Sequence, residues 1–191
     1  MNLPNTLTLV RMFLVPLLVV VLLTEFDGHQ ILGMPKELVG AAIFALASIT
    51  DWLDGYIARR RRQVTWLGQM LDPIADKLLV SACLLMLAAD GTIAGWSLWA
   101  AIIILCREIL VSGLREFLAE LRVGVPVTQL AKWKTFMQLL AVGFLLAGRA
   151  GDLIVPYVTL TGLILLWLSA LLTLYTGWDY LRAGINHLID G

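Results

Sequence analysis

Charge is scarce in this chain. Asp, Glu, Lys and Arg together make up 15% of the 191 residues, whereas hydrophobic residues make up 60%. Positive and negative charges balance, with 14 residues of each sign, and we expect no nucleic-acid partner. No low-complexity tract or soluble domain remains to be placed between the apolar stretches. This composition is typical of a membrane protein, and the length suits a single domain over residues 1–191.

Cysteine and histidine are nearly absent, which limits the chemistry available. Cys83 and Cys106 fall within apolar stretches, so we expect packing residues rather than a disulfide. His29 and His187 are isolated in or near predicted loops, and nothing in the sequence pairs them with a metal. We therefore expect a metal site, if the chain has one, to use oxygen ligands.

Six apolar stretches predict an all-α integral membrane protein with six transmembrane helices. A spanning helix needs about 20 residues, and the last stretch runs from Leu153 to Trp178 without a charge. The second, third and fourth stretches contain charges, so we expect a plain hydropathy scan to underestimate them. The first lacks a small-x-small cleavage site and exceeds a signal-peptide core, which indicates an uncleaved span. The predicted spans are residues 7–24, 38–60, 69–89, 93–118, 132–149 and 153–178.

Basic residues in short loops predict the orientation of these spans. Cytoplasmic loops of membrane proteins carry an excess of Lys and Arg. Such residues follow the second and sixth spans and surround the loop between the fourth and fifth: Arg59 to Arg62, Arg182, Arg115, Arg122, Lys132 and Lys134. We therefore expect both termini to be cytoplasmic.

Four aspartates stand in or beside the second and third apolar stretches. They belong to the pattern D-x2-D-G-x2-A-R-x8-G-x3-D-x3-D, which we call the Asp motif and which runs from Asp51 to Asp76. A charge at membrane depth costs roughly 2.5–3.5 kcal/mol on insertion scales, so such residues usually mark a functional site. The predicted orientation places this motif at the cytoplasmic ends of its two spans.

The spacing within the Asp motif predicts that, on each of two helices, the motif residues share one face. Positions three, four, seven and eight residues apart lie on one side of a helix. Two facing helices would then bring four carboxylates together, and the sequence shows few counter-charges for them. Oxygen ligands of this kind suit Mg²⁺, Mn²⁺ or Ca²⁺ rather than zinc. The members of the motif are Asp51, Asp54, Gly55, Ala58, Arg59, Gly68, Asp72 and Asp76.

Two further stretches place charges near the predicted cytoplasmic side. Arg107 and Glu108 form either a structural ion pair or pairs with other helices, and we favour the structural role. Arg115, Lys132 and Lys134 follow the positive-inside pattern, but they also suit a pocket for an anionic acceptor. Phosphate recognition commonly uses Arg forks and Lys point charges.

The Asp motif resembles the signature of the CDP-alcohol phosphatidyltransferases, and all eight specified positions match. In that family, two divalent ions held by such aspartates bind the pyrophosphate of a CDP-linked lipid. The resemblance implies two Mg²⁺ or Mn²⁺ ions, with Asp51, Asp54 and Asp72 as the main ligands. It makes Asp76 the general base, which also touches a metal ion.

The same resemblance implies a CDP-lipid site lined by residues of the motif. The small residues permit close approach of a bulky ligand, and an arginine at the helix end suits a phosphate. The residues implied are Asp51, Gly55, Ala58, Arg59 and Gly68.

Flanking segments narrow the resemblance to the bacterial phosphatidylglycerophosphate synthases. R-E-I-L-V-S-G-L-R-E-F from Arg107, A-K-W-K-T from Ala131 and the opening N-L-P-N-T-L-T-L-V-R are similar to that subfamily. The resemblance implies transfer of a phosphatidyl group from CDP-diacylglycerol to sn-glycerol 3-phosphate, with release of CMP. It also implies a homodimer among membrane lipids in the bacterial inner membrane, with the active site facing the cytoplasm. The expected acceptor-phosphate residues are Arg115, Lys132, Lys134 and Thr135.

Two alternatives remain open from the sequence. One is another member of the family, such as a synthase of phosphatidylserine, an inositol phospholipid or cardiolipin. The other is an ion or proton transporter, since membrane-embedded Asp and Arg residues also suit that class. Neither an inverted repeat nor a pair of broken helices supports transport.

Overall fold

The fold is built from helices that follow the apolar stretches of the sequence. A computed structural model describes residues 3–24, 30–31, 33–61, 66–120 and 129–189. Within this part of the chain, the helices are α1 (Leu3–Leu23), α2 (Lys36–Arg61), α3 (Trp66–Ala89), α4 (Ser97–Glu120), α5 (Gln129–Asp152) and α6 (Val158–Ile189). Each predicted stretch coincides with one helix, which confirms the all-α prediction. The sequence did not predict the short antiparallel pair of β1 (Gln30–Ile31) and β2 (Met34–Pro35) between α1 and α2.

Within the described residues, two helices are long and apolar enough to cross a membrane by length and composition. They do so over Ser97–Leu118 in α4 and Val158–Trp178 in α6, while α1 carries a shorter apolar segment, Thr8–Leu23. The expectation that charges would hide the fourth stretch from a hydropathy scan was therefore wrong. Together with the exposed apolar side chains along α4 and α6, these helices indicate a membrane protein. The count of six spans stays a prediction.

Most helix boundaries differ from the predicted spans by some residues, and the start of α4 and both ends of α6 are examples. α4 begins at Ser97 rather than residue 93, because Gly91 and Gly95 adopt positive φ angles of 78° and 56° in the preceding turn. α6 begins at Val158 rather than residue 153, following Pro156 and Tyr157, whose φ of 69° is left-handed. The helix then continues to Ile189, beyond the predicted end at residue 178.

The core lies where α6 meets α4 and α5, where α5 meets α2, and where α1 meets α2 and α3. Gly162 on α6 allows a close approach between α5 and α6. A Cβ atom at this position would lie 2.8 Å from Leu145 Cγ and 3.1 Å from the Leu145 backbone nitrogen on α5. Small residues bring helix backbones together in membrane proteins, so α5 and α6 form a tight antiparallel pair.

Asp152 joins the end of α5 to the start of α6, outside the predicted spans. Its Oδ1 accepts a hydrogen bond of 3.0 Å from the Thr159 backbone N–H, and its Oδ2 accepts one of 2.6 Å from the Thr159 hydroxyl. Both bonds lower the pKa of the Asp152 carboxyl, and the bond from the Thr159 hydroxyl has the larger effect. The ionised form therefore stabilises this turn.

Replacing Asp152 with Ala should lower the thermal unfolding midpoint of the purified protein, because the Thr159 N–H and hydroxyl lose their acceptor. A depressed pKa contributes stability above the unfolded-state pKa, which is about 3.9 for Asp. The difference between the two proteins should therefore be full at neutral pH and shrink as the pH falls below about 4. Glu116→Ala, at an exposed position on α4, is the matched control. A pH-independent difference would contradict the role of the carboxylate.

Candidate functional site

Arg11 is the centre of the candidate site. It lies on α1 and is fully buried, with an exposed fraction of 0%. Its Nη1 atom donates to Oδ1 of Asp51 on α2 and, over 3.0 Å, to Oδ1 of Asp76 on α3. A single nitrogen thus contacts the first and the last aspartate of the Asp motif, which are 25 residues apart in the sequence.

Helix packing explains how the two aspartates reach one arginine. α1 packs against both α2 and α3, and Arg11 sits on the side of α1 that is buried. Thr8, three residues earlier and therefore on the same helix face, is buried as well. α1 therefore acts as the common support for the two helices that carry the motif.

Arg11 corrects one expectation from the sequence. We expected few counter-charges for the clustered aspartates, but Asp51 and Asp76 share a buried guanidinium. The spacing pattern did not predict this residue, because it relates only positions within the motif. A signal was available, since Arg11 is the one charged residue between Leu3 and Leu23. A lone charge in an apolar helix usually has a partner.

The pair of carboxylates is partly open to the surroundings, unlike the arginine. The side chains of Asp51 and Asp76 are 33% and 47% exposed, whereas that of Arg11 is 0% exposed. Removing one partner of a buried ion pair costs about 3–5 kcal/mol, and partial exposure of the carboxylates reduces that figure. The arginine is therefore held firmly, while both carboxylates keep an accessible side.

The aspartates suit a divalent cation by the chemistry of their donors. Mg²⁺ and Mn²⁺ prefer carboxylate oxygens, and Asp51 and Asp76 present such oxygens close together on neighbouring helices. Among the side chains that the structure describes, no group of three or more His, Cys, Asp or Glu residues comes together. The backbones of the other six motif residues lie on α2 and α3, but their side chains fall outside the described part: Asp54, Gly55, Ala58, Arg59, Gly68 and Asp72. The convergence of four carboxylates therefore stays a prediction.

A second polar centre joins α4, α5 and α6. Glu108 on α4 accepts a hydrogen bond from Lys134 on α5 and lies 3.6 Å from the Nη1 atom of Arg107. Arg107 in turn reaches α6, where Nε donates to the Thr173 carbonyl over 3.1 Å and Nη2 donates to the Thr176 hydroxyl over 2.9 Å. Arg107 and Glu108 thus form the expected structural pair and also contact other helices.

A further contact connects this centre with the helix of Asp76. Lys77, the next residue along α3, donates a hydrogen bond to the Ser112 hydroxyl on α4. Ser112 lies one helical turn from Glu108, because positions four residues apart share a helix face. Neither Lys77 nor Ser112 was singled out from the sequence, where both are unremarkable polar residues beside a charged pattern.

The predicted acceptor residues differ in their surroundings. Lys134 is only 5% exposed and is engaged by Glu108, so it is a buried, paired cation. Arg115, Lys132 and Thr135 are exposed. The structure brings Lys134 close to Arg107 and Glu108, and it gives no common contact for Arg115 and Lys132 within the described residues.

The chain is similar to known proteins over nearly its whole length. The family model for CDP-alcohol phosphatidyltransferase matches residues 1–175. A CDP-diacylglycerol–glycerol-3-phosphate 3-phosphatidyltransferase of Rickettsia bellii is 47% identical over 182 residues, covering 95% of this chain and 94% of that protein. Proteins of the same name from Bacillus subtilis and Haemophilus influenzae are 40% and 37% identical, covering 94% and 99% of this chain and 93% and 96% of their own lengths.

These matches agree with the geometry of the site. The family match includes α1, which supplies Arg11, and the whole Asp motif on α2 and α3. The resemblance predicted from the motif is thereby confirmed. The chain belongs to the CDP-alcohol phosphatidyltransferase family.

Proposed function

We propose that this chain transfers a phosphatidyl group from CDP-diacylglycerol to sn-glycerol 3-phosphate, giving phosphatidylglycerophosphate and CMP. The observation that carries the proposal is the complete Asp motif, whose outer aspartates, on two helices that both pack against α1, meet at Arg11. The printed names of relatives that match nearly the whole chain support the same donor and acceptor. Among the alternatives from the sequence, these names favour glycerol 3-phosphate over other acceptors and a transferase over a transporter.

Two divalent ions, Mg²⁺ or Mn²⁺, complete the proposed site. Asp51, Asp54 and Asp72 are the main ligands, and Asp76 contributes to one ion. When bound, such ions neutralise the pyrophosphate and the charge that develops on departing CMP. Gly55, Ala58, Arg59 and Gly68, together with Asp51, line the site of the CDP group.

Asp76 is the proposed general base. It accepts the proton of the primary hydroxyl of glycerol 3-phosphate while the hydroxyl oxygen attacks the phosphorus that bears diacylglycerol. Its hydrogen bond with the fully buried Arg11 supports this role, because it fixes the orientation of the carboxylate. The bond between that phosphorus and the CMP oxygen breaks as the new phosphorus–oxygen bond forms.

The acceptor phosphate is proposed to bind at Arg115, Lys132, Lys134 and Thr135. The position of Lys134 supports this assignment, because it lies beside Glu108 and Arg107 in a buried polar centre. That centre connects through Lys77 and Ser112 to α3, which carries Asp76. A phosphate held there would lie on the side of the catalytic base.

In the proposed topology, all six helices span the inner membrane and both termini are cytoplasmic. The charged loops of the sequence support this arrangement by the positive-inside rule. Exposed apolar side chains along α4 and α6 suit contact with lipid acyl chains, as at Ile109, Leu110, Leu168 and Leu171. A homodimer, expected from the family resemblance, forms part of the proposal.

The activity predicts metal-dependent release of CMP. Purified protein with CDP-diacylglycerol and Mg²⁺ should release CMP with glycerol 3-phosphate, and not with serine, inositol or phosphatidylglycerol. EDTA should abolish the release, and Mg²⁺ or Mn²⁺ should restore it. Asp51→Asn, Asp54→Asn and Asp72→Asn should each reduce turnover to near background, because the cation loses a charged ligand.

Glu116→Gln is the matched carboxylate control, since this residue is exposed on α4 and outside the proposed site. Size-exclusion profiles should show that each variant remains folded in detergent. Full activity after thorough metal removal would exclude the proposed metal chemistry. CMP release with another acceptor in place of glycerol 3-phosphate would assign the chain to a different specificity.

Charge removal in the acceptor site should affect the two substrates unequally. Arg115→Gln, Lys132→Gln and Lys134→Gln should raise KM for glycerol 3-phosphate more than KM for CDP-diacylglycerol. A lost charge-assisted phosphate contact is worth about 1.5–3 kcal/mol, or roughly 10- to 150-fold. Steady-state kinetics with each substrate varied in turn measure the effect. Equal changes in both KM values would indicate that these residues serve only topology or stability.

Direct attack by the acceptor predicts inversion of configuration at phosphorus. The motif offers carboxylates for metal ions and a base, but no Ser, Cys or His as a nucleophile. A chiral thiophosphate CDP-lipid reports the outcome, because one displacement inverts the configuration at phosphorus and two displacements retain it.

Asp76→Asn should bind CDP-diacylglycerol with metal but turn over very slowly. Net retention, or exchange of labelled CMP into CDP-diacylglycerol without acceptor, would instead indicate a covalent intermediate.

A further inference from the structure

We propose that Arg11 is a positioning residue of the aspartate site, and that it makes within the chain the same cross-link between α2 and α3 that a bound divalent cation makes. The inference rests on the proposed function, because it assumes that Asp51 and Asp76 bind metal. It concerns α1, which contributes no residue to the Asp motif.

The geometry of the contact is the first argument. One atom, Arg11 Nη1, donates to Oδ1 of Asp51 and to Oδ1 of Asp76. These carboxylates belong to different helices, and both helices pack on α1. The arginine therefore links the beginning of the Asp motif to its end through a third element.

The balance of charge is the second argument. Two carboxylates that approach each other disfavour their shared ionised state, and the guanidinium offsets one of their two negative charges. The full burial of the Arg11 side chain means that protein groups, among them these aspartates, stabilise its charge in place of water. The Arg11 link is present at every cation concentration, whereas the occupancy of a cation site depends on the concentration of the cation.

The two links must influence each other. A cation on Asp51 and Asp76 joins the same two helices. Each link therefore contributes less to the free energy of unfolding when the other is present. The positive charge of Arg11 also repels an approaching cation. Both effects have the same sign, and removing Arg11 should therefore strengthen cation binding while it weakens the protein without cation.

Arg11 affects the proposed reaction by orienting the carboxylate of Asp76. Arg11 holds Asp76 through Oδ1, which aims the proposed base. Loss of Arg11 should consequently lower kcat even when the cation binds more tightly. A residue that serves packing alone lowers stability by a constant amount and leaves the affinity for cations unchanged, so the two roles are separable.

The experiment compares wild type, Arg11→Gln and Arg11→Lys, with Arg149→Gln at an exposed position on α5 as the matched control for charge. Thermal unfolding in detergent is measured in EDTA and in saturating Mn²⁺, and free Mn²⁺ is measured by electron paramagnetic resonance. Arg11→Gln should unfold well below wild type in EDTA, and Mn²⁺ should narrow that gap. Its affinity for Mn²⁺ should rise about 5- to 150-fold, the usual range for coupled sites.

Arg11→Lys retains the charge on a shorter side chain, and it should fall between wild type and Arg11→Gln in all of these measurements. If Arg11→Gln does not fold in EDTA, it is purified in Mn²⁺, and its unfolding rates relative to wild type are compared in Mn²⁺ and after chelation. A ratio that is larger after chelation supports the inference, and a ratio that chelation leaves unchanged overturns it, because loss of packing alone would act equally in both conditions.

Two results overturn the inference while leaving the proposed function intact. A stability gap that stays constant with Mn²⁺ would make Arg11 a packing residue, and weaker Mn²⁺ binding in Arg11→Gln would make it a requirement for the cation site. A wild-type protein that neither binds Mn²⁺ nor needs it for CMP release would remove the proposed metal site itself. In that case the inference falls together with the metal chemistry.

Discussion

A fully buried guanidinium is the constraint on which the rest of this structure depends. Arg11 has no access to water, so the free energy of leaving its charge unpaired is prohibitive in an apolar surrounding. The chain satisfies it with carboxylates from two other helices, and these are the first and last aspartates of the Asp motif. The requirement to neutralise one charge on α1 thus links α2 and α3 through Arg11, and the candidate site lies at that link.

The second polar centre has a different composition and a different consequence. Among the described side chains, two positive charges, those of Arg107 and Lys134, lie around the carboxylate of Glu108. Two carboxylates, by contrast, contact the guanidinium of Arg11. One region of the bundle is therefore suited to cations and the other to anions. In the proposed function, the phosphate ester of the acceptor and a metal-bound pyrophosphate would require such opposite surroundings, and α3 and α4 connect the two regions through Lys77 and Ser112.

The sequence predicted the helices well because apolar stretches of this length permit little else. It located the Asp motif by spacing, and the family match confirmed that interpretation. It predicted helix ends less well, because left-handed turns such as those at Gly95 and Tyr157 interrupt runs that are still apolar. It missed Arg11 and the contact of Lys134 with Glu108, because spacing along one helix carries no information about which residue of a distant helix lies opposite. Partners 40 and 65 residues apart are set by packing.

The separation between Arg11 and its partners has a consequence for biosynthesis. In the proposed topology, α1 enters the membrane first, and Asp76 is made 65 residues later. At a synthesis rate of about 5–20 residues per second, that interval lasts roughly 3–13 s. During this time α1 carries a guanidinium whose final acceptors have yet to leave the ribosome. The insertion machinery must therefore keep α1 out of the apolar interior of the bilayer, or hold it at the lipid–water boundary, until α2 and α3 are made and can pack against it.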